Sequence, residues 1–285
     1  MGSTDPTWQI DITALNGRDY ILTTSCNPTK FTLNFLIIIV ALVGVAGNAI
    51  VLCLLGFSML RIAFSVYILN LAGADFLFLC VNIGHSIQVI ISIFHPIFIS
   101  RFFNVLFNFA YLAGLSMLSA ISFERCLSVL LPIQYRCRRQ RHTSTAMCAL
   151  LWTLSPILSI LKREACGTLF NGFENGWCKK LYFITFAWLI VLFVVLSGSS
   201  LVLMIRVFCG SHRIPVTRLH VTITLTVLVF LLFCLCYGIY RFHLGWVDEI
   251  YSSFPCSAFE ISAFLSCVNS CSNPIIYFLV GSIRH

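Results

Sequence analysis

Seven long blocks of mainly apolar residues decide what this 285-residue chain can fold into. They lie near 31–57, 65–93, 102–130, 144–161, 181–208, 216–240 and 255–282. A helix needs roughly 20 residues to cross the hydrocarbon core of a bilayer. Most of the blocks lack the two-faced alternation that a helix on a soluble domain would show. In lipid every backbone N–H and C=O has to be satisfied within the protein, so blocks of this length read as helices. The fourth is the shortest and contains Pro156, which is expected to bend it. The expected fold is an all-α membrane protein, a seven-transmembrane helix bundle.

Composition excludes the soluble alternatives. The chain is 59% hydrophobic and 10% charged, whereas soluble domains carry about a quarter charged residues. No segment repeats another and no Pro/Gly/Ser-rich linker divides the chain. A single domain over 1–285 is expected. Within it, 1–30 is an extracellular segment, 31–282 the helix bundle and 283–285 a short cytoplasmic end.

Charge gives the orientation. Arg61, Arg125, Arg136, Arg138, Arg139, Arg141, Arg206, Arg213, Arg218 and Arg284 gather on one side against one acid, Glu124. On the other side basic and acidic residues balance, so the whole positive excess sits on one face. That face is expected to be cytoplasmic and the N-terminus extracellular. Topology and anionic lipid account for the net +8, and no nucleic-acid partner is expected. The polar first thirty residues lack a signal-peptide core, so the first span is expected to act as its own insertion signal. They also carry no glycosylation sequon.

Most of the 14 cysteines lie inside the spans or on the cytoplasmic side, where they behave as small apolar residues or stay reduced. Cys26, Cys166, Cys178 and Cys256 lie outside. Cys166 and Cys178 flank the short loop between the fourth and fifth spans and are expected to be bonded. Closing such a loop stabilises by roughly 3 kcal/mol in the chain-entropy model. A Cys26–Cys256 pairing stays open.

Polar side chains at membrane depth are costly and mark function. Asp75 ends the run Leu71-Ala72-Gly73-Ala74-Asp75 in the second span. Asn48 in the first span, and Asn273 in Asn273-Pro274-Ile275-Ile276-Tyr277 of the seventh, lie at similar depth. Pro274 frees a carbonyl and permits a kink, and Tyr277 joins an apolar ring to a hydroxyl that seeks water. Glu124-Arg125-Cys126 stands at the inner end of the third span.

These residues, with Gly47-Asn48 and Trp152, resemble in kind and order the signature positions of rhodopsin-like receptors. Further stretches are similar to the Mas-related receptors: Phe64-Ser65-Val66-Tyr67, Ala113-Gly114-Leu115-Ser116, Glu124-Arg125-Cys126-Leu127-Ser128-Val129, Tyr135-Arg136-Cys137 and Cys209-Gly210-Ser211. The likeness covers essentially the whole chain, and the final run from Phe278 to His285 looks closest to rodent B-type members. The resemblance implies a plasma-membrane receptor of sensory neurons or mast cells, passing an extracellular ligand signal to a heterotrimeric G protein. Gq is the implied partner, with Gi in some members, and no cofactor, metal or catalytic residue is implied. Asn48, Asp75, Glu124, Arg125, Asn273, Pro274 and Tyr277 then fall to activation and coupling. The resemblance also implies that Cys166 and Cys178 tie the fourth and fifth spans together, leaving a shallow, open ligand site.

The chain departs from that pattern in places. The cationic-ligand branch carries acids where this chain has Lys162 and Tyr182, and Glu164 sits on another helix face. Counting back from Arg125 to the usual amine-binding depth gives Phe107. The candidate ligand contacts are Phe107, Lys162, Glu164, Tyr182, Trp188, Tyr237, Tyr240 and Glu260, and a neutral or anionic ligand is expected. The family's Gly-Leu-Pro-Phe-Gly run in the sixth span is here Cys234-Leu235-Cys236-Tyr237-Gly238, which removes a fixed kink. No Asp or Glu lies between Glu174 and Asp248, so no acid at the foot of the sixth span can hold Arg125. The chain stops eight residues after Tyr277, before the helix and tail the resemblance implies, whether trimmed or naturally short. A signalling receptor is the expected class. A poorly signalling decoy is the alternative, and a transporter lacks the polar path it would need.

Overall fold

A computed structural model describes residues 10–57, 63–94, 101–133, 135, 143–167, 175–209 and 257–282. Six helices account for nearly all of them: α1 (Ile10–Phe57), α2 (Ala63–Phe94), α3 (Arg101–Leu130), α4 (Thr143–Gly167), α5 (Asn175–Cys209) and α6 (Ala258–Ser282). They match the first five blocks and the seventh. The sixth block, 216–240, lies outside the described residues, and Tyr237 and Tyr240 with it.

Among the described residues five stretches are long and apolar enough to cross a membrane: Pro28–Phe57, Ser65–Ser92, Val105–Leu130, Thr143–Leu161 and Lys180–Val202. α1 overshoots its span. Its 48 residues would reach about 70 Å at the α-helical rise, so the helix continues into the segment read as an extracellular tail. α4 likewise runs unbroken through Pro156.

α6 solves a different problem. Ser262, Ser266, Asn269, Ser270 and Asn273 along it are all buried, so neighbouring helices rather than lipid cover its polar side chains.

The bundle turns its apolar surface both ways. Ile37, Tyr67, Leu71, Leu79, Leu115 and Met117 fill the core, while Leu42, Val43, Leu54, Leu150, Val194 and Leu201 stay more than half exposed. Exposed aliphatic residues on α1, α4 and α5 are what a hydrocarbon solvent asks for. α3 packs on α2, α4 and α5, and α1 packs on α2 and α6. Close approach of α1 to its neighbours depends on Gly44. A Cβ there would stand 2.7 Å from Leu79 Cδ1 and 3.3 Å from the Cα of Cys271, a small-residue contact typical of membrane helices.

Two hydrogen bonds fasten neighbouring helices within this frame. Trp152 Nε1 donates to Asn70 Oδ1 at 2.9 Å, joining α4 to α2. Ser119 Oγ is shared between Leu115 O, one turn back on α3 at 2.9 Å, and Leu192 O of α5 at 3.2 Å.

Candidate functional site

The middle of the bundle holds one polar cluster. Asp75 is buried, and each of its carboxylate oxygens accepts one hydrogen bond from α6. Ser270 Oγ donates to Oδ1 at 2.8 Å, and Asn273 Nδ2 donates to Oδ2 at 2.7 Å. Asn48 of α1 reaches the same helix, its Nδ2 donating to Ser270 O at 3.2 Å and to Gly44 O at 2.9 Å. Three helices therefore meet on one carboxylate and one backbone carbonyl. A hydrogen bond contributes about 0.5–1.5 kcal/mol net, and lipid offers no competing partner.

A cavity of about 20 Å³ adjoins Asp75, bordered by Gly114, Ser266, Asn269, Ser270 and Asn273. That is about the room one water needs. Asn269 Oδ1 and Asn273 Oδ1 are buried acceptors without a hydrogen-bond partner among the described residues. Pro274 is buried against Gly47 of α1, its Cβ 3.1 Å from where a Cβ on that glycine would stand. Tyr277 packs partly buried against the core.

A second polar cluster lies at the Arg125 end of α3. Tyr67, almost fully buried on α2, donates its hydroxyl to Glu124 Oε1 at 3.0 Å. Tyr135, beyond the end of α3, donates to Glu124 Oε2 at 3.3 Å. Glu124 thus joins α2, α3 and the following loop right beside Arg125. α3 brings the pair there by running unbroken to Leu130.

The ligand candidates are scattered by comparison. Phe107 is buried among rings, edge-to-face with Phe78 at 4.9 Å and 5.9 Å from Phe259. His85 extends this aromatic group, 5.3 Å from Phe259. Glu260 is buried on α6, its Oε2 without a hydrogen bond among the described residues. Trp188 lies on the far side of α3, in a groove shared with α4 and α5. Tyr182 is half-buried on α5. The side chains of Lys162, Glu164, Cys166 and Cys178 lie outside the described residues, and with them the expected disulfide.

Sequence reasoning missed Ser270, Tyr67 and Tyr135 as partners of the two acids. Ser270 had a signal in the run of serines and asparagines on one helix. Tyr67 and Tyr135 stood in stretches quoted only for their resemblance, with nothing in the chain order to point them at Glu124.

A family model described as 7 transmembrane receptor (rhodopsin family) matches residues 47–277. Mas-related G-protein coupled receptor member X2 of Mus musculus is 56% identical over 98% of this chain and 79% of its own length. Member B4 of Rattus norvegicus is 52% identical over 100% of this chain and 87% of its own. Member X2 of Homo sapiens is also 52% identical, over 100% of this chain and 87% of its own. The likeness thus spans members of both the B and X groups.

Proposed function

Since the chain belongs to the rhodopsin family of seven-transmembrane receptors and within it to the Mas-related receptors, we propose that it drives Gq, with Gi as a second route, from the plasma membrane of sensory neurons or mast cells. It is a G-protein-coupled receptor and not an enzyme. The proposed topology puts the N-terminus outside, in keeping with the arginine excess on the other face.

The observation that carries the mechanism is the meeting of α1, α2 and α6 on Asp75 and Ser270. In that mechanism a ligand that binds one arrangement of the outer bundle better shifts the population toward it. Any relative movement of these three helices must break or exchange a bond in the cluster, so the rearrangement passes between discrete packings rather than sliding freely. At the inner end the bundle opens around Arg125 and admits a helix of the G protein into the groove. Asn48, Asp75, Asn273, Pro274 and Tyr277 belong to the switch, and Glu124 and Arg125 to its cytoplasmic end.

The ligand in this reading is neutral or anionic. Lys162, Arg163, Lys179 and Lys180 crowd the ends of the loop between α4 and α5, so an ammonium group would meet like charge. Phe107, Tyr182, Trp188, Tyr237 and Tyr240 are the proposed aromatic contacts, with Glu164 and Glu260 as counter-charges, and the whole chain acts as one domain. The test is calcium release in cells expressing the chain, exposed in parallel to anionic and cationic candidates. Anionic or neutral activators are the expected result. If no ligand or G-protein class gives a response above mock cells, a receptor-like decoy is the reading left.

A further inference from the structure

A second site lies outside the activation clusters, on the side of the bundle where α3, α4 and α5 meet. A groove of about 480 Å³ runs there, within the range of small-molecule sites. Ala120 and Phe123 of α3, Met147 and Leu151 of α4, and Trp188 and Val191 of α5 line it. Phe123, Met147 and Val191 are each 40–50% exposed, and all six residues fall within membrane-crossing stretches. The open side therefore stands at membrane depth, and a ligand reaches it through lipid.

Two side chains in this groove lack what their kind finds elsewhere in the bundle. Trp152 donates its indole N–H to Asn70 Oδ1, whereas the indole N–H of Trp188 meets no acceptor among the described residues. Ser122 and Ser200 also have partnerless hydroxyls, but their side chains are buried. Trp188 is only partly buried and stands on the groove wall. Rings pair elsewhere, Phe78 with Phe107, Phe107 with Phe259 and Phe109 with Trp152. Phe123 and Trp188 pair with no ring among the described residues.

Ordinary lipid does not supply the missing acceptor. Trp188 lies eight residues inside Lys180, where its span begins, about 12 Å along the helix axis. Ester carbonyls and sterol hydroxyls stay near the headgroups, and the hydrocarbon core offers no acceptor. A donor left unpaired there is costly.

We infer that this groove takes an uncharged aromatic molecule with a single hydrogen-bond acceptor, an aryl ketone in its simplest form, delivered from the bilayer. The carbonyl accepts from Trp188, and the rings find the unpaired faces of Phe123 and Trp188 and the sulfur of Met147. A charged group would have to leave water for lipid. A second polar group would find Ser119 engaged with Leu192 O and Glu124 held in its own cluster.

Trp188 is also among the contacts proposed for the outer ligand, so the position of a covalent label, read without a G protein, separates the two sites. The probe is perdeuterated benzophenone, irradiated with the full chain in phosphatidylcholine nanodiscs. Its excited carbonyl carbon bonds to a neighbouring carbon while the oxygen takes that carbon's hydrogen, and peptide mass mapping finds the residue. Val191 and Val194 stand within one turn of α5, 50% and 59% exposed, and of the two only Val191 lines the groove. Benzophenone merely dissolved in lipid labels them alike. Saturable label on Val191 is expected, about fivefold or more above Val194, the weight of one net hydrogen bond. Trp188→Phe keeps a ring without the N–H and is expected to erase the excess. Ala120→Leu, which fills the back wall, should erase it too, with Met147→Trp in its place if thermal unfolding shows that variant misfolded. Ordinary benzophenone should displace the probe, and diphenylmethane, the same skeleton without the oxygen, should displace it poorly. Equal labelling of the two valines overturns the inference. So does an excess that survives Trp188→Phe or the filling variant, or one that diphenylmethane removes as well as benzophenone does.

Discussion

Tyr67 and Glu124 meet across the interface of α2 and α3, the tyrosine hydroxyl donating to Glu124 Oε1 at 3.0 Å. The bond steadies the residue before Arg125, in a chain with no Asp or Glu between Glu174 and Asp248 to hold that arginine from the sixth span. Tyr135, in the helical turn after α3, holds the other oxygen of the same carboxylate at 3.3 Å.

Replacing Tyr67 with Phe keeps the ring and removes the donor. The loss should destabilise the resting arrangement by about 1–2 kcal/mol and raise ligand-free calcium signalling several-fold per receptor at the surface. Signalling equal to wild type at matched expression would show that the bond does not restrain the switch.

Arg125→Ala should reach the cell surface normally and fail to release calcium with any ligand. Surface labelling and calcium flux in the same cells check both halves, and a normal response would remove Arg125 from coupling.

Asp75→Ala strands two buried donors, Ser270 Oγ and Asn273 Nδ2. Each costs about 1–3 kcal/mol to leave unpaired. The expected result is a clear fall in Tm of the purified protein and loss of the calcium response. Asp75→Asn keeps one acceptor oxygen and should fall between.

Gly44→Ala places a methyl group 2.7 Å from Leu79 Cδ1 and against the Cys271 backbone, with an expected cost of about 1–3 kcal/mol. Gly198→Ala meets nothing within 4 Å and should gain about 0.5–1 kcal/mol from helix propensity alone. Thermal unfolding of the two side by side separates packing from helix propensity, and equal stability would refute the tight α1 contact.

Lys162→Glu supplies an acid where the chain has a base. Potency of basic ligands in calcium release should rise by about tenfold or more, since a charge reversal near a ligand is worth several kcal/mol before screening. If basic ligands already act at sub-micromolar levels on the wild type and the exchange changes nothing, the preference for neutral or anionic ligands is wrong.

Much of this architecture was legible in the sequence because lipid is an unforgiving solvent. Apolar blocks of bilayer length gave the helices, and the expense of a carboxylate at that depth singled out Asp75 before any partner was known. Asn48 and Asn273 stood out for the same reason, and the structure brings both to the Asp75 cluster. Partnerships were harder to read. Ser270 lies 195 residues from Asp75 and Tyr67 lies 57 from Glu124, so only helix packing decides that they touch. Serine and tyrosine are also tolerated in spans without any partner and carry no warning in their composition. Trp188 was named as aromatic surface for the ligand on condition that it face the pocket, and which way it faces depends on rotation about the α5 axis. The outward run of α1 was missed because polar residues argue against a span without arguing against a helix.

The buried serines and asparagines of α6 bear on how the molecule is made. A segment carrying that many hydroxyls and amides gains little by entering oil alone. It becomes stable across the bilayer once α1 and α2 stand ready to receive it, with Asp75 and Asn48 already facing the cleft. Biogenesis thus has a preferred order written into the last helix: the early spans partition into the membrane on their own, and the final one docks as a guest.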